Sequence, residues 1–126
     1  MRALSLWQPY ASLIADGIKK IETRDWYLSY RGPLAIHATK ANLDKEFAFK
    51  CGYGMDGRRC PLGAVVCIVN VDDCVRFPNP KAPPDPYGNF EEGRFGILMT
   101  LLHKFETPIP AKGGRLIWHW DYQWSK

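Results

Sequence analysis

The residues best suited to chemistry lie in Gly17-Ile18-Lys19-Lys20-Ile21-Glu22-Thr23-Arg24, where three cations and one carboxylate surround Ile21. In an extended segment, side chains two apart share a face. Glu22 and Arg24 therefore point together, Ile21 and Thr23 point away, and Lys19, at a turn, is placed to bend back toward Glu22. A carboxylate held between an ammonium and a guanidinium can move a proton, while the two cations can hold an oxyanion or grip a polar ligand. The plain alternative is a solvated surface ion pair, worth about 0–1 kcal/mol. Flat aromatic surface is close on both sides, with Trp7-Gln8-Pro9-Tyr10 before the cluster and Trp26-Tyr27 after it.

The elements that must position these groups follow from local pattern. Arg2 to Leu6 reads as a first strand. Pro9 suits the first turn of a helix, and Tyr10, Leu13, Ile14 and Gly17 then fall on one face, with Gly17 ending the helix after Asp16. Lys20 to Trp26 reads as the second strand, and Leu34 to Ala38 as a short apolar one with Leu34, Ile36 and Ala38 on one face. Asn42 or Asp44 is placed to cap a second helix through about Lys50, and the glycine-bearing stretch 51–62 reads as a flexible insertion.

Ala64 to Val71, rich in valine and isoleucine, is the strongest strand and belongs at the centre of a sheet. The loop from Phe77 to Gly93 carries five prolines and reads as a lid or as a rigid surface crossing, the latter preferred. Phe95 to Phe105 is another apolar strand. A loop then brings Lys112, Gly113, Gly114 and Arg115 together, before a last strand, Leu116 to Trp120, whose Trp118 and Trp120 are packing residues. Strands without regular βα alternation predict an α+β fold. The expected architecture is a small mixed, mostly antiparallel β-barrel with two flanking helices, one domain over residues 1–126. A ligand would sit between the barrel wall and the first helix, beside Lys19, Glu22 and Arg24.

The net charge of +4 suits an anionic partner such as nucleic acid or a nucleotide. Cys51, Cys60, Cys67 and Cys74 form no Cys-x-x-Cys pair, and His37, His103 and His119 stand singly, so no metal site and no cofactor are expected. The cysteines read as free thiols, with Cys67 buried in its strand. No apolar run reaches the roughly 20 residues of a membrane span, and no signal peptide is evident. The expected setting is cytoplasmic, with no membrane and no obligate protein partner.

The pattern Gly17-x-Lys19-x-x-Glu22-x-Arg24 resembles the signature of the ASCH domain, a branch of the PUA-like β-barrel proteins. Leu4-Ser5-Leu6-Trp7-Gln8-Pro9-Tyr10-Ala11 and Pro108-Ile109-Pro110-x-Lys112-Gly113-Gly114 are similar to the same family in the same order, most of all to its EOLA-like and bacteriophage members. The resemblance implies a PUA-like barrel. One branch of the family is a metal-independent amidohydrolase that removes acyl groups from N4 of cytidine. There the octapeptide lysine is catalytic, a threonine stands where this chain has Glu22, and a downstream glutamate takes part.

For an N4-acylated cytosine nucleoside as substrate, this chain departs from that branch at Glu22, which the residues themselves assign as the base or proton shuttle. Lys19 holds the oxyanion or shares the proton, and Arg24 holds the carboxylate or a substrate oxygen. Trp7 or Trp26 stacks on the base, with Gln8, Pro9 and Tyr10 beside them. Lys112 and the Gly113-Gly114 amides receive ribose or phosphate, and His37 is a second-rank site residue. Other members are RNA-binding modules or a ribonuclease, for which Lys19, His37 and Tyr10 are the candidates here. A third reading is a non-catalytic reader of a modified base.

Overall fold

Valine and isoleucine fill both faces of a strand only where both faces are covered, and the run from Ala64 to Val71 is indeed buried throughout except at Asn70. In the computed structural model, which describes residues 1–125, the chain runs β1 (Arg2–Leu6), α1 (Tyr10–Ala15), β2 (Ile21–Arg24), β3 (Gly32–Ala38), α2 (Lys45–Lys50), β4 (Ala64–Arg76), β5 (Phe95–Pro110) and β6 (Ile117–His119). The strands form one sheet in the order β2-β5-β4-β3-β1-β6. β1 and β3 run parallel, with Leu4 opposite Ile36, and the other neighbours are antiparallel.

The sheet curls because its longest pair is irregular. Register shifts interrupt β4 against β5 between Val65 and Cys67, between Ile68 and Val69, and between Val71 and Asp73. Each such irregularity bends the strand and adds twist. The result is a half-barrel. Its hollow holds α1, whose Ala11, Ile14 and Ala15 pack with Leu4, Leu6, Leu34, Ile36 and Val69. Side chains of opposite parity, Ala3, Ala35, Val65 and Ile68, make a second core with Phe105 and Trp120 on the other face.

Several expectations change. The mixed, mostly antiparallel sheet is present, but β2 and β6, its two edges, do not pair with each other among the described residues. β4 runs on past Val71 to Arg76 and β5 past Phe105 to Pro110, because backbone pairing continues where the apolar pattern stops. β2 ends at Arg24, short of Trp26. Asp44, rather than Asn42, caps α2, accepting from the Phe47 N–H at 3.0 Å.

Residues 51–62 are not a slack insertion. Tyr53 donates its hydroxyl to Asp16 Oδ2 at 2.6 Å, and Met55–Gly57 forms a short 3-10 turn. Gly57 fits where a Cβ would come 2.8 Å from that of Ala48. Gly57 serves close packing, whereas Gly52, with φ of +91° and open space around it, serves a backbone turn. The four cysteines are free thiols, and burial pushes the Cys67 thiol up to about 12. Among the described residues no helix is long and apolar enough to cross a membrane.

Candidate functional site

The junction from α1 to β2 is set by one glycine. Gly17 has φ of +75°, a conformation that costs glycine little. Its N–H donates to Ile14 O at 3.0 Å and the Ile18 N–H to Leu13 O at 2.9 Å, which closes the helix as a Schellman motif. The chain reverses within these residues, and Lys19 is the next side chain to turn inward.

Lys19 is buried, with only 1% of its side chain exposed. Its Nζ donates to Ile21 O and to Tyr87 O, each at 2.8 Å, and lies 3.4 Å from Glu22 Oε1. Two of the three ammonium hydrogens thus have carbonyl acceptors, and the charge rests in ion-pair range of the carboxylate. The other carboxylate oxygen, Oε2, accepts from Arg24 Nε at 2.8 Å. Arg24 then donates through Nη2 to Ser5 O at 3.2 Å, one residue beyond Leu4, the last β1 position paired with β6. One ammonium, one carboxylate and one guanidinium thereby join α1, β2, β1 and the loop at Tyr87.

Over this cluster opens a cleft of about 640 Å³. Trp7, Tyr10, Glu22, Arg24 and Trp26 line one side of it. Trp7 is 56% exposed, and the Arg24 guanidinium sits 6.0 Å from the centroid of the Trp26 ring. The opposite wall is Tyr87, Gly88, Asn89 and Arg94, in and just after the proline-rich loop, where sequence favours a surface crossing over a lid. That loop has a small core of its own, in which Phe77 packs on Val75 and Ala82 and faces Phe90 at 4.8 Å. It is fastened to β2 by the Asn89 N–H, which donates to Thr23 Oγ1 at 3.0 Å. A Cβ on Gly88 would lie 2.7 Å from Thr23 Cγ2, so glycine permits this contact.

Two expected binding residues, Gln8 and Pro9, line neither this cleft nor the neighbouring cavity at His37, and Lys19 lies beneath the cleft without lining it. Gln8 is fully buried. Its Oε1 accepts from the Ser12 N–H at 2.9 Å, and its Nε2 donates to Ser12 Oγ and to Pro61 O, each at 2.8 Å. It satisfies the start of α1 and pins residue 61 there, which leaves no group for a ligand. Pro9 is buried at the cap of the same helix. Conversely, Ser5, Tyr87, Asn89 and Arg94 were not singled out by sequence. The one advance signal for the last three was a long loop bearing its own aromatics and prolines.

His37, Lys112, Gly113 and Gly114 line a separate cavity of about 870 Å³, which meets the cleft at Ser5. The Ser5 carbonyl binds Arg24, while its hydroxyl lies 3.0 Å from His37 Nδ1 and accepts from Trp118 Nε1 at 3.0 Å. His37 Nε2 lies 2.7 Å from Ala111 O, an acceptor only. These partners assign the proton to Nε2 and make Nδ1 the acceptor of the Ser5 hydroxyl. The ring is neutral in this arrangement.

Burial holds the His37 ring below the ordinary histidine value of 6.5, against the opposing hydrogen bond to Ala111. The unfolded ring therefore takes a proton first as pH falls. Its contribution to stability is complete above 6.5 and is lost as pH drops through the folded value. Asp16, where hydrogen bonds from Lys104 and Tyr53 outweigh the effect of burial, lies below its ordinary 3.8 and acts only in stronger acid. Denaturant unfolding at about pH 7.5 and about pH 5 should show a larger loss for the native chain than for His37→Gln. Equal losses would remove this assignment.

The double glycine is steric as well. A Cβ at Gly113 would lie 2.7 Å from His37 Cε1 and 2.8 Å from Ser5 Oγ, both held in the chain of hydrogen bonds above. Gly113→Ala is expected to cost about 1–3 kcal/mol of unfolding free energy, as overpacking of a fixed site does. An unchanged denaturation midpoint would show that the loop can yield.

A curled, mixed six-stranded sheet with a helix in its hollow and a charged octapeptide at the first helix-strand junction defines a small α+β half-barrel of the PUA-like kind. The chain belongs to the ASCH domain family, whose model matches residues 4–95. It is similar to activating signal cointegrator 1 of Homo sapiens, with 28% identity over 94% of this chain and 22% of that protein. The protein of the same name from Mus musculus is 27% identical over the same shares. The chain thus spans 22% of the length of the curated relatives it matches.

Proposed function

We propose that the cleft binds one unpaired nucleobase, with Glu22 accepting from the exocyclic N–H of an amino-bearing base such as cytosine. The observation that carries this reading is how fully the charged cluster is already engaged. The Lys19 ammonium is buried, donates to two backbone carbonyls, pairs with Glu22 and does not line the cleft, so using it as a nucleophile or an oxyanion donor would mean breaking those contacts. Lys19 is a positioning residue. A carboxylate offers about four acceptor directions; Arg24 takes one on Oε2 of Glu22, and the Lys19 ammonium lies beside Oε1 as an ion pair. The remaining directions are fixed in space and available to a ligand.

Trp7 and Trp26 supply flat surface for an unstacked base, and the unused N–H groups of Arg24 suit a base carbonyl. The volume falls in the roughly 300–1,000 Å³ usual for small-ligand sites. A second reading is hydrolysis of N4-acylated cytosine nucleosides. It is favoured by a carboxylate and a guanidinium 2.8 Å apart at the cleft, an arrangement that pairs a base for water with a donor for the oxyanion. Calorimetric titration with N4-acetylcytidine, followed by chromatography of the mixture, separates the two. Saturable binding without cytidine release is expected. Cytidine release that is lost in Glu22→Gln would establish hydrolysis instead, and absence of any binding would remove both.

A further inference from the structure

The cavity beyond Ser5 is chemically unlike the cleft. Its charged lining is Lys40, Lys112 and Arg115, with no carboxylate among the lining residues. All three cations are exposed, and none has an ion-pair or hydrogen-bond partner through its side chain among the described residues. Lys40 is nevertheless held in place. Its stem lies across Gly63, where a Cβ would come 2.6 Å from Lys40 Cε, and Gly63 O in turn accepts from the Ala111 N–H at 3.1 Å. The floor is the neutral, doubly bonded His37, which presents an uncharged surface beneath the cations.

Unpaired cations around a neutral, mostly apolar hollow suit an anion attached to an apolar body. That describes the sugar-phosphate unit of a nucleic-acid strand. Continuity favours the same ligand in both hollows. They meet at one residue, Ser5, whose carbonyl is held from the cleft side and whose hydroxyl is held from the cavity side. A group leaving the cleft at Ser5 enters the basic cavity directly. Each hollow is large enough for one nucleotide unit.

We propose that the cavity lined by Lys40, Lys112 and Arg115 is a phosphodiester subsite for the strand whose base occupies the cleft. This rests on the base-binding reading above and makes the ligand a single-stranded nucleic acid rather than a free nucleoside. Cations of this kind position a strand and carry no base specificity. They also release counterions, so affinity falls with salt in proportion to the number of phosphates held.

The test compares cytidine, inorganic phosphate and the dinucleotide CpC, in ribo and deoxy forms, on the native chain and on the Lys40→Ala/Lys112→Ala/Arg115→Ala variant. CpC is expected to bind the native chain on the order of tenfold more tightly than cytidine, with a negative salt slope that cytidine lacks. In the variant both the ratio and the slope should collapse. A ratio that survives the triple substitution, or one near unity in the native chain, overturns the subsite. Native cytidine binding with no gain for CpC leaves the base reading standing alone. If cytidine fails while CpC and phosphate bind and the variant loses both, the subsite stands and the base reading falls. The ribo and deoxy arms tell whether the strand is RNA or DNA.

Discussion

Lys19→Met is expected to lower the unfolding free energy by about 3 kcal/mol, the cost of taking one partner from a buried, hydrogen-bonded charge cluster. Methionine matches the lysine stem, so little packing is lost. The Ile21 and Tyr87 carbonyls lose their donor, and Glu22 keeps only Arg24. The damage should be local as well as global. Tyr87 sits in the loop that forms the far wall, so amide exchange at Tyr87 to Asn89 should accelerate beyond what the global destabilisation explains. Denaturant titration gives the first quantity and hydrogen exchange the second. A loss below about 1 kcal/mol with unchanged exchange would mean that the ammonium holds nothing together.

Glu22→Gln should strike recognition harder than folding. The amide keeps one oxygen for a cation but turns its N–H2 toward the other, which should cost about 1–2 kcal/mol of stability. Toward a ligand the change is qualitative, because an acceptor becomes in part a donor. A well-placed hydrogen-bonded pair is worth about 1–3 kcal/mol of discrimination between bases. Cytidine affinity should therefore fall about 30-fold while uridine, which has no exocyclic amine to offer, changes less than about threefold. Calorimetry with the two nucleosides measures the ratio. Equal losses would show that Glu22 shapes the cleft without reading the base.

What the sequence disclosed about this region was local. The reversal at Gly17, the shared face of Glu22 and Arg24 and the inward turn of Lys19 depend on backbone preference and on the two-residue period of a strand. Those rules act over a few residues. The far wall escaped because it depends on a hydrogen bond between Lys19 and a carbonyl 68 positions away, for which no spacing rule exists. Gln8 misled for a related reason. Its neighbours Trp7 and Tyr10 do line the cleft, but a side chain that can both donate and accept also suits the start of a helix.

The Lys112-Gly113-Gly114 segment shows the limit from the other side. Its residue types suited a ligand, yet sequence could not say that it faces a different hollow from the octapeptide. That follows from the alternation along β1, where Leu4 and Leu6 enter the core with α1 while the Ser5 side chain turns to His37 and Trp118. Sheet closure was likewise out of reach. Whether six strands meet as a full barrel depends on the summed bending of β4 against β5, which no single residue announces.

The bridge from Arg24 to Ser5 bears on colloidal behaviour. An uncovered strand margin accepts a strand from another molecule, and past Leu4 the β1 backbone is shielded there by the Arg24 guanidinium. Any group that draws this guanidinium away would bare that margin, so tight occupancy of the cleft and freedom from self-association are in tension. Concentration-dependent light scattering of Arg24→Leu measures how strongly; scattering identical to the native chain would show that the margin is protected by other means.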